Sequence, residues 1–105
     1  MSCKYQKISS NEVGSVISCT GCDELIIGIE TVMLKVSVAN SKCFMKLLKA
    51  SALKAHKNKN DKILLETQFD NLFITFNYRE LQKSIELLEF AFLRMEINSL
   101  LQVRI

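Results

Sequence analysis

The chain has 105 residues, enough for one domain and not comfortably for two. Apolar residues make up 49% and charged residues 24%, with a net charge of +3 and no Pro, which supports a packed core and excludes collagen-like, polyproline-rich and disordered classes. No apolar run reaches the roughly 18–20 residues a membrane span needs, and no apolar stretch follows Lys4 and Lys7 as a secretory signal requires, so the expectation is a cytoplasmic domain with no membrane segment.

In chain order, residues 5–8 and 13–18 read as a hairpin across Ser9-Ser10-Asn11-Glu12. Next comes Cys19-Thr20-Gly21-Cys22, between the end of one strand and the start of another. Leu25, Ile27 and Ile29 then alternate with period two, as do Val32, Leu34 and Val36. Across a two-residue turn at Glu30-Thr31, 29 faces 32, 27 faces 34 and 25 faces 36, so all six apolar side chains share one sheet face. Glu30 tolerates a left-handed backbone poorly, so this turn is expected to be loose. A helix follows over 41–56, with Asn40 as its N-cap and Ser37 and Ser41 as competing caps.

At an offset of 40 residues the chain resembles itself. Residues 31–48 lie over 71–88, with apolar and polar positions in step, and Leu25 over Leu65 and Ile29 over Phe69 continue the register upstream. The second copy places Leu65, Thr67 and Phe69 opposite Leu72, Ile74 and Phe76 across an Asp70-Asn71 turn. Its helix covers 79–97, with a core seam of Leu81, Ile85, Leu88, Phe92 and Met95 at i, i+4, i+7, i+11 and i+14. The equivalent seam of the first helix, Ser41, Met45, Leu48, Ala52 and Ala55 flanked by Phe44, is thinner. The fold class that follows is α+β: an N-terminal hairpin plus a duplicated β-β-α unit, an antiparallel sheet with two helices packed on one face. One domain over 1–105 divides into a hairpin at 4–18, repeat one at 23–56, a polar link at 56–62, repeat two at 63–97 and a tail at 98–105. The tail is too apolar to float freely, so it packs back on the core or seals a dimer.

Four Cys without a secretory signal point to a metal site, a redox pair or plain burial rather than to disulfides. Cys19 and Cys22 have the spacing of a metal knuckle, in which two thiolates converge on Zn²⁺. Closing the first hairpin at Ile8 and Val13 sets Cys3 opposite Ser18, beside Cys19, so Cys3 is the candidate third ligand. The fourth stays open among Cys43, His56, a water and a second subunit, with Cys43 disfavoured because it lies about 140° from the helix seam. A thiol redox protein using Cys19 and Cys22 is the alternative, although that chemistry needs the first Cys at a helix N-terminus.

Charge is unevenly distributed. Residues 35–62 carry eight Lys against Asp61 alone, whereas each flank is mildly acidic. Lys42, Lys46 and Lys49 share one face of the first helix and could meet nucleic acid. The absence of Arg and of interleaved aromatics there argues for an ordinary solvated face. There is no Gly-rich phosphate loop and no Ser/His/acid set, so no catalytic residue is assigned. Glu80, Glu86, Glu89 and Glu96 belong to a helix surface. The chain reads as a non-catalytic binding or regulatory module whose partner is a second copy or another protein.

The run Val13-Gly14-Ser15-Val16-Ile17-Ser18-Cys19-Thr20-Gly21-Cys22, followed by Leu25, Ile27, Ile29 and Thr31-Val32-Met33-Leu34, resembles a small uncharacterised family of Bacteroidetes proteins of about this length. That family's pattern is a Gly-x-Val-x-x-Cys-x-x-Cys knuckle, then a strand ending in Phe-Gly-Thr. Gly14, Val16, Cys19, Cys22 and Thr31 match, whereas Ile29 and Glu30 depart from the Phe-Gly step. The resemblance implies a cytoplasmic bacterial protein, no known activity and no fourth metal ligand.

Overall fold

Four consecutive strands build an antiparallel meander: β1 (Tyr5–Asn11), β2 (Gly14–Cys19), β3 (Glu24–Ile29) and β4 (Val32–Ser37). The chain continues into α1 (Val38–Ala55), then β5 (Ile63–Glu66), β6 (Phe73–Phe76) and α2 (Tyr78–Val103). The computed structural model describes residues 4–19, 23–55, 62–69 and 72–103. The class is α+β, with the expected N-terminal hairpin.

The meander has one buried face. Val16 lies opposite Ile27, and Leu25, Ile27 and Ile29 lie opposite Val36, Leu34 and Val32, in the pairing the alternation predicts. α2 covers this face along β1 and β2, and α1 covers it along β3 and β4. Their seams, Phe44, Met45 and Leu48 from α1 and Leu81, Ile85 and Leu88 from α2, join the strand residues in one continuous core. The other face carries the row Lys7, Ile17, Ile26 and Lys35, with its lysines exposed.

The repeat persists in the burial pattern. Leu25 and Leu65, Val36 and Phe76, Met45 and Ile85, and Leu48 and Leu88 are all buried at the offset of 40. Both helices begin one residue after a polar cap at equivalent positions, Ser37 and Asn77. Asn40 is therefore not the cap of α1; its N–H donates to Ser37 Oγ at 3.1 Å. At α2, Asn77 Oδ1 accepts from Glu80 N–H at 2.7 Å and Glu80 Oε1 accepts from Asn77 N–H at 2.8 Å, a reciprocal capping box.

Beyond the cap of α1, the structure departs from expectation in four places. First, the N-terminal turn lies at Glu12-Val13 rather than at Ser9 to Glu12. A bulge between Lys7 and Ser9 inserts Ile8, so Ile8 and Ser9 are both buried. Asn11 Oδ1 then accepts from Val13 N–H at 3.0 Å and turns the chain. Second, the Glu30-Thr31 turn is tight, not loose: Ile29 stays opposite Val32, and Glu30 takes a left-handed φ of 55°.

Third, β5 and β6 pair only with each other, as a separate two-stranded sheet packed on the helices. Their register is shifted by two residues, Leu65 facing Ile74 instead of Phe76. Faces are preserved because the shift is even. Thr67 sets it: its N–H and its hydroxyl both donate to the Leu72 carbonyl, at 3.3 and 2.8 Å. The Asp70-Asn71 turn itself lies outside the described residues. Fourth, α2 does not end at 97 but runs on to Val103.

Candidate functional site

The CxxC motif occupies the connection between two neighbouring strands. β2 ends at Cys19 and β3 begins at Glu24, with Ser18 opposite Leu25 closing the pair. Cys19 is buried and lies opposite Tyr5. The Asp23 carbonyl accepts from Val38 N–H at 3.2 Å, so the start of α1 abuts the exit of the motif. Cys3 and Cys22 lie outside the described residues, as does His56. The turn at Glu12-Val13 changes the argument for Cys3, because it makes Gln6, not Cys3, the residue opposite Ser18. Cys43 is exposed on α1, away from the core seam. Among the described residues, no three potential ligands of His, Cys, Asp or Glu type cluster as a metal site.

Lys42, Lys46 and Lys49 are exposed on α1. Lys49 Nζ lies 3.5 Å from Glu89 on α2, which offsets part of the positive face. The two residues are equivalent at the repeat offset, so this contact joins the two units. Among the described residues no helix is long and apolar enough to cross a membrane.

A charged cleft of about 200 Å³ lies at the opposite end of the sheet. The turns at Glu12-Val13 and Glu30-Thr31 meet the first turns of α2 there. Glu12 bonds Arg79 through Oε2 and approaches Lys83 Nζ at 3.5 Å through Oε1. Asn11 Nδ2 donates to the Lys83 carbonyl at 2.8 Å, and Ser9 Oγ donates to the Leu87 carbonyl at 2.8 Å. These polar side chains therefore fasten β1 to α2. The legible signals were the capping box Asn77-Tyr78-Arg79-Glu80 and the turn-forming Asn11; the long-range pairing was not legible.

Glu30 and Glu80 both line the cleft. Hydrogen bonding with the Glu80 side chain first, then desolvation and the like charge of Glu80, raise the Glu30 carboxyl above the ordinary carboxylate range, while Lys62 pulls it down. A raised carboxyl pKa means that the folded chain binds a proton the unfolded chain releases. The contribution is favourable below the ordinary value of 4.5 and is lost as pH rises through the folded value. Glu30→Gln is therefore expected to be more stable than the parent at pH 7, with the difference vanishing below about pH 4. Urea denaturation at both pH values checks this; a difference that does not change with pH would remove the carboxyl contact as its cause.

The remaining candidate surface is apolar. Phe90, Leu93, Ile97 and Leu100 lie along one side of α2 and are 45% to 64% exposed. Phe92 and Met95, on the other side, pack against the core. Compared with known protein families, curated proteins and solved structures, the chain matches none.

Proposed function

We propose that this chain is a small non-catalytic binding or regulatory module in which Cys19 and Cys22 form a knuckle for Zn²⁺. The observation carrying this reading is the strand-to-strand position of the motif, with Cys19 ending β2 and Glu24 opening β3. Paired strands hold both ends of such a loop, so two thiolates three residues apart can converge above it. Cys19 ends a strand and a strand follows the motif, so the motif does not itself open a helix, the arrangement that thioredoxin-type exchange requires. Cys3 remains the candidate third ligand because it precedes by two residues Tyr5, which lies opposite Cys19. The polar groups nearest the charged cleft support a binding role in another way. Ser9, Asn11 and Glu12 fasten β1 and its turn to α2, and Glu80 caps α2, so their polar groups are engaged in holding the fold.

The test is metal content. Protein purified without chelator and without a His tag is expected to carry stoichiometric metal, and Cys19→Ser/Cys22→Ser to lose it. Because metal and fold are linked, the chelated parent is also expected to melt at lower temperature. A stoichiometry near zero in the parent would end the knuckle.

A further inference from the structure

We infer that the outer side of α2 is a dimer seam, on which a second copy of this chain packs in parallel as a short coiled coil. This gives the binding module proposed above its partner, and rests on that reading. Phe90, Leu93, Ile97 and Leu100 recur at spacings of three, four and three, the a and d positions of a heptad. All four are exposed, although each is large and apolar. Met95 is the last described residue of α2 to pack against the core, yet the helix continues for eight residues to Val103. That is about 12 Å of helix at 1.5 Å per residue. Helices in water owe most of their stability to packing of an apolar side, so an extension of this kind calls for a partner surface.

Charge selects the occupant. In this heptad frame Glu89 is a g position and Arg94 the following e position. In a parallel pair, g of one helix meets e of the other five residues on, so two copies bring Glu89 to Arg94 twice. An antiparallel pair sets e against e and g against g, which opposes Arg94 to itself and Glu89 to Glu96. Ile97 at a, with Leu93 and Leu100 at d, is also the composition that favours two strands. Glu89 is 55% exposed while it contacts Lys49, so it is open to a second cation. The seam is shorter than a standard interface of about 800 Å² per partner, so association is expected to be reversible and micromolar.

Sedimentation equilibrium on the full chain tests this. The parent is expected to double its mass across the micromolar range, and Ile97→Glu to stay monomeric with an unchanged circular dichroism spectrum. Arg94→Glu is expected to weaken association by about tenfold, and Glu89→Arg/Arg94→Glu to restore it. The Cys19→Ser/Cys22→Ser chain is expected to dimerise like the parent, which separates the seam from the knuckle. A parent that stays monomeric, an Ile97→Glu chain that still dimerises, or a charge swap that fails to restore association would each overturn the seam. So would loss of dimer together with metal in the double Cys variant.

Discussion

Gly14→Ala is expected to destabilise the chain by more than about 3 kcal/mol, a large part of the 5–15 kcal/mol typical of a domain. A Cβ at Gly14 would lie 1.8 Å from the Gly28 carbonyl oxygen, 2.8 Å from its carbonyl carbon and 3.1 Å from Ile29 Cα. All three obstacles are backbone, so no rotamer change relieves them. The strands must part where Gly14 pairs with Ile29, beside the bond from Glu30 N–H to the Val13 carbonyl at 2.8 Å. Close backbone approach is thus the physical reason for glycine here, and the φ of Gly14 is not left-handed. Gly28 supplies the control. A Cβ there would meet nothing nearer than 3.8 Å, so Gly28→Ala is expected to change stability by less than about 1 kcal/mol. Thermal melts should place Gly14→Ala at least about 15 °C below the parent and Gly28→Ala close to it. Similar melting points for the two variants would refute the close-approach argument.

Phe44→Ala is expected to cost about 3–5 kcal/mol. Phe44 is fully buried on α1, within the core that joins the meander, the second hairpin and both helices. Its equivalent at the repeat offset is Ser84, also fully buried, whose hydroxyl donates to the Glu80 carbonyl at 2.8 Å. One large and one small residue therefore occupy matching places, and the bulk comes from the first repeat. Ser84→Ala removes a bond within its own helix and leaves almost no cavity, so it is expected to cost less than about 1 kcal/mol. Urea denaturation of both variants distinguishes this asymmetric core from one in which the two repeats contribute alike; comparable losses would favour the latter.

These cases show which parts of the fold were legible. The β3 to β4 register was readable because one face of that hairpin is buried, and a slip by one residue would turn Leu25, Ile27 and Ile29 outward. The α2 seam was readable because Leu81, Ile85, Leu88, Phe92 and Met95 keep the helical period. The β1 bulge was not, because the run Lys7-Ile8-Ser9-Ser10 contains no residue that demands one. Its cause lies 78 residues away, where the Leu87 carbonyl accepts the Ser9 hydroxyl. The candidate knuckle was legible as a motif. The place of Cys3 beside it depended on a hairpin closing at Ile8 and Val13; with the turn at Glu12-Val13 and a one-residue bulge, Gln6 lies opposite Ser18, three residues along.

Length, composition and periodicity by themselves determined an α+β chain with a repeat of 40 residues, the inward residues of β3, β4 and both helices, and a CxxC between strands. These properties follow from local alternation and from which side chains avoid water, so they can be read without knowing what each element touches. Only the tertiary structure decided that β5 and β6 form their own sheet, that Glu12, Arg79 and Lys83 meet, and that α2 runs past the core with Phe90, Leu93, Ile97 and Leu100 outward. Each of these depends on contacts between residues far apart in the chain. A local pattern can mark two apolar stripes on one helix, but only packing selects the one that is buried.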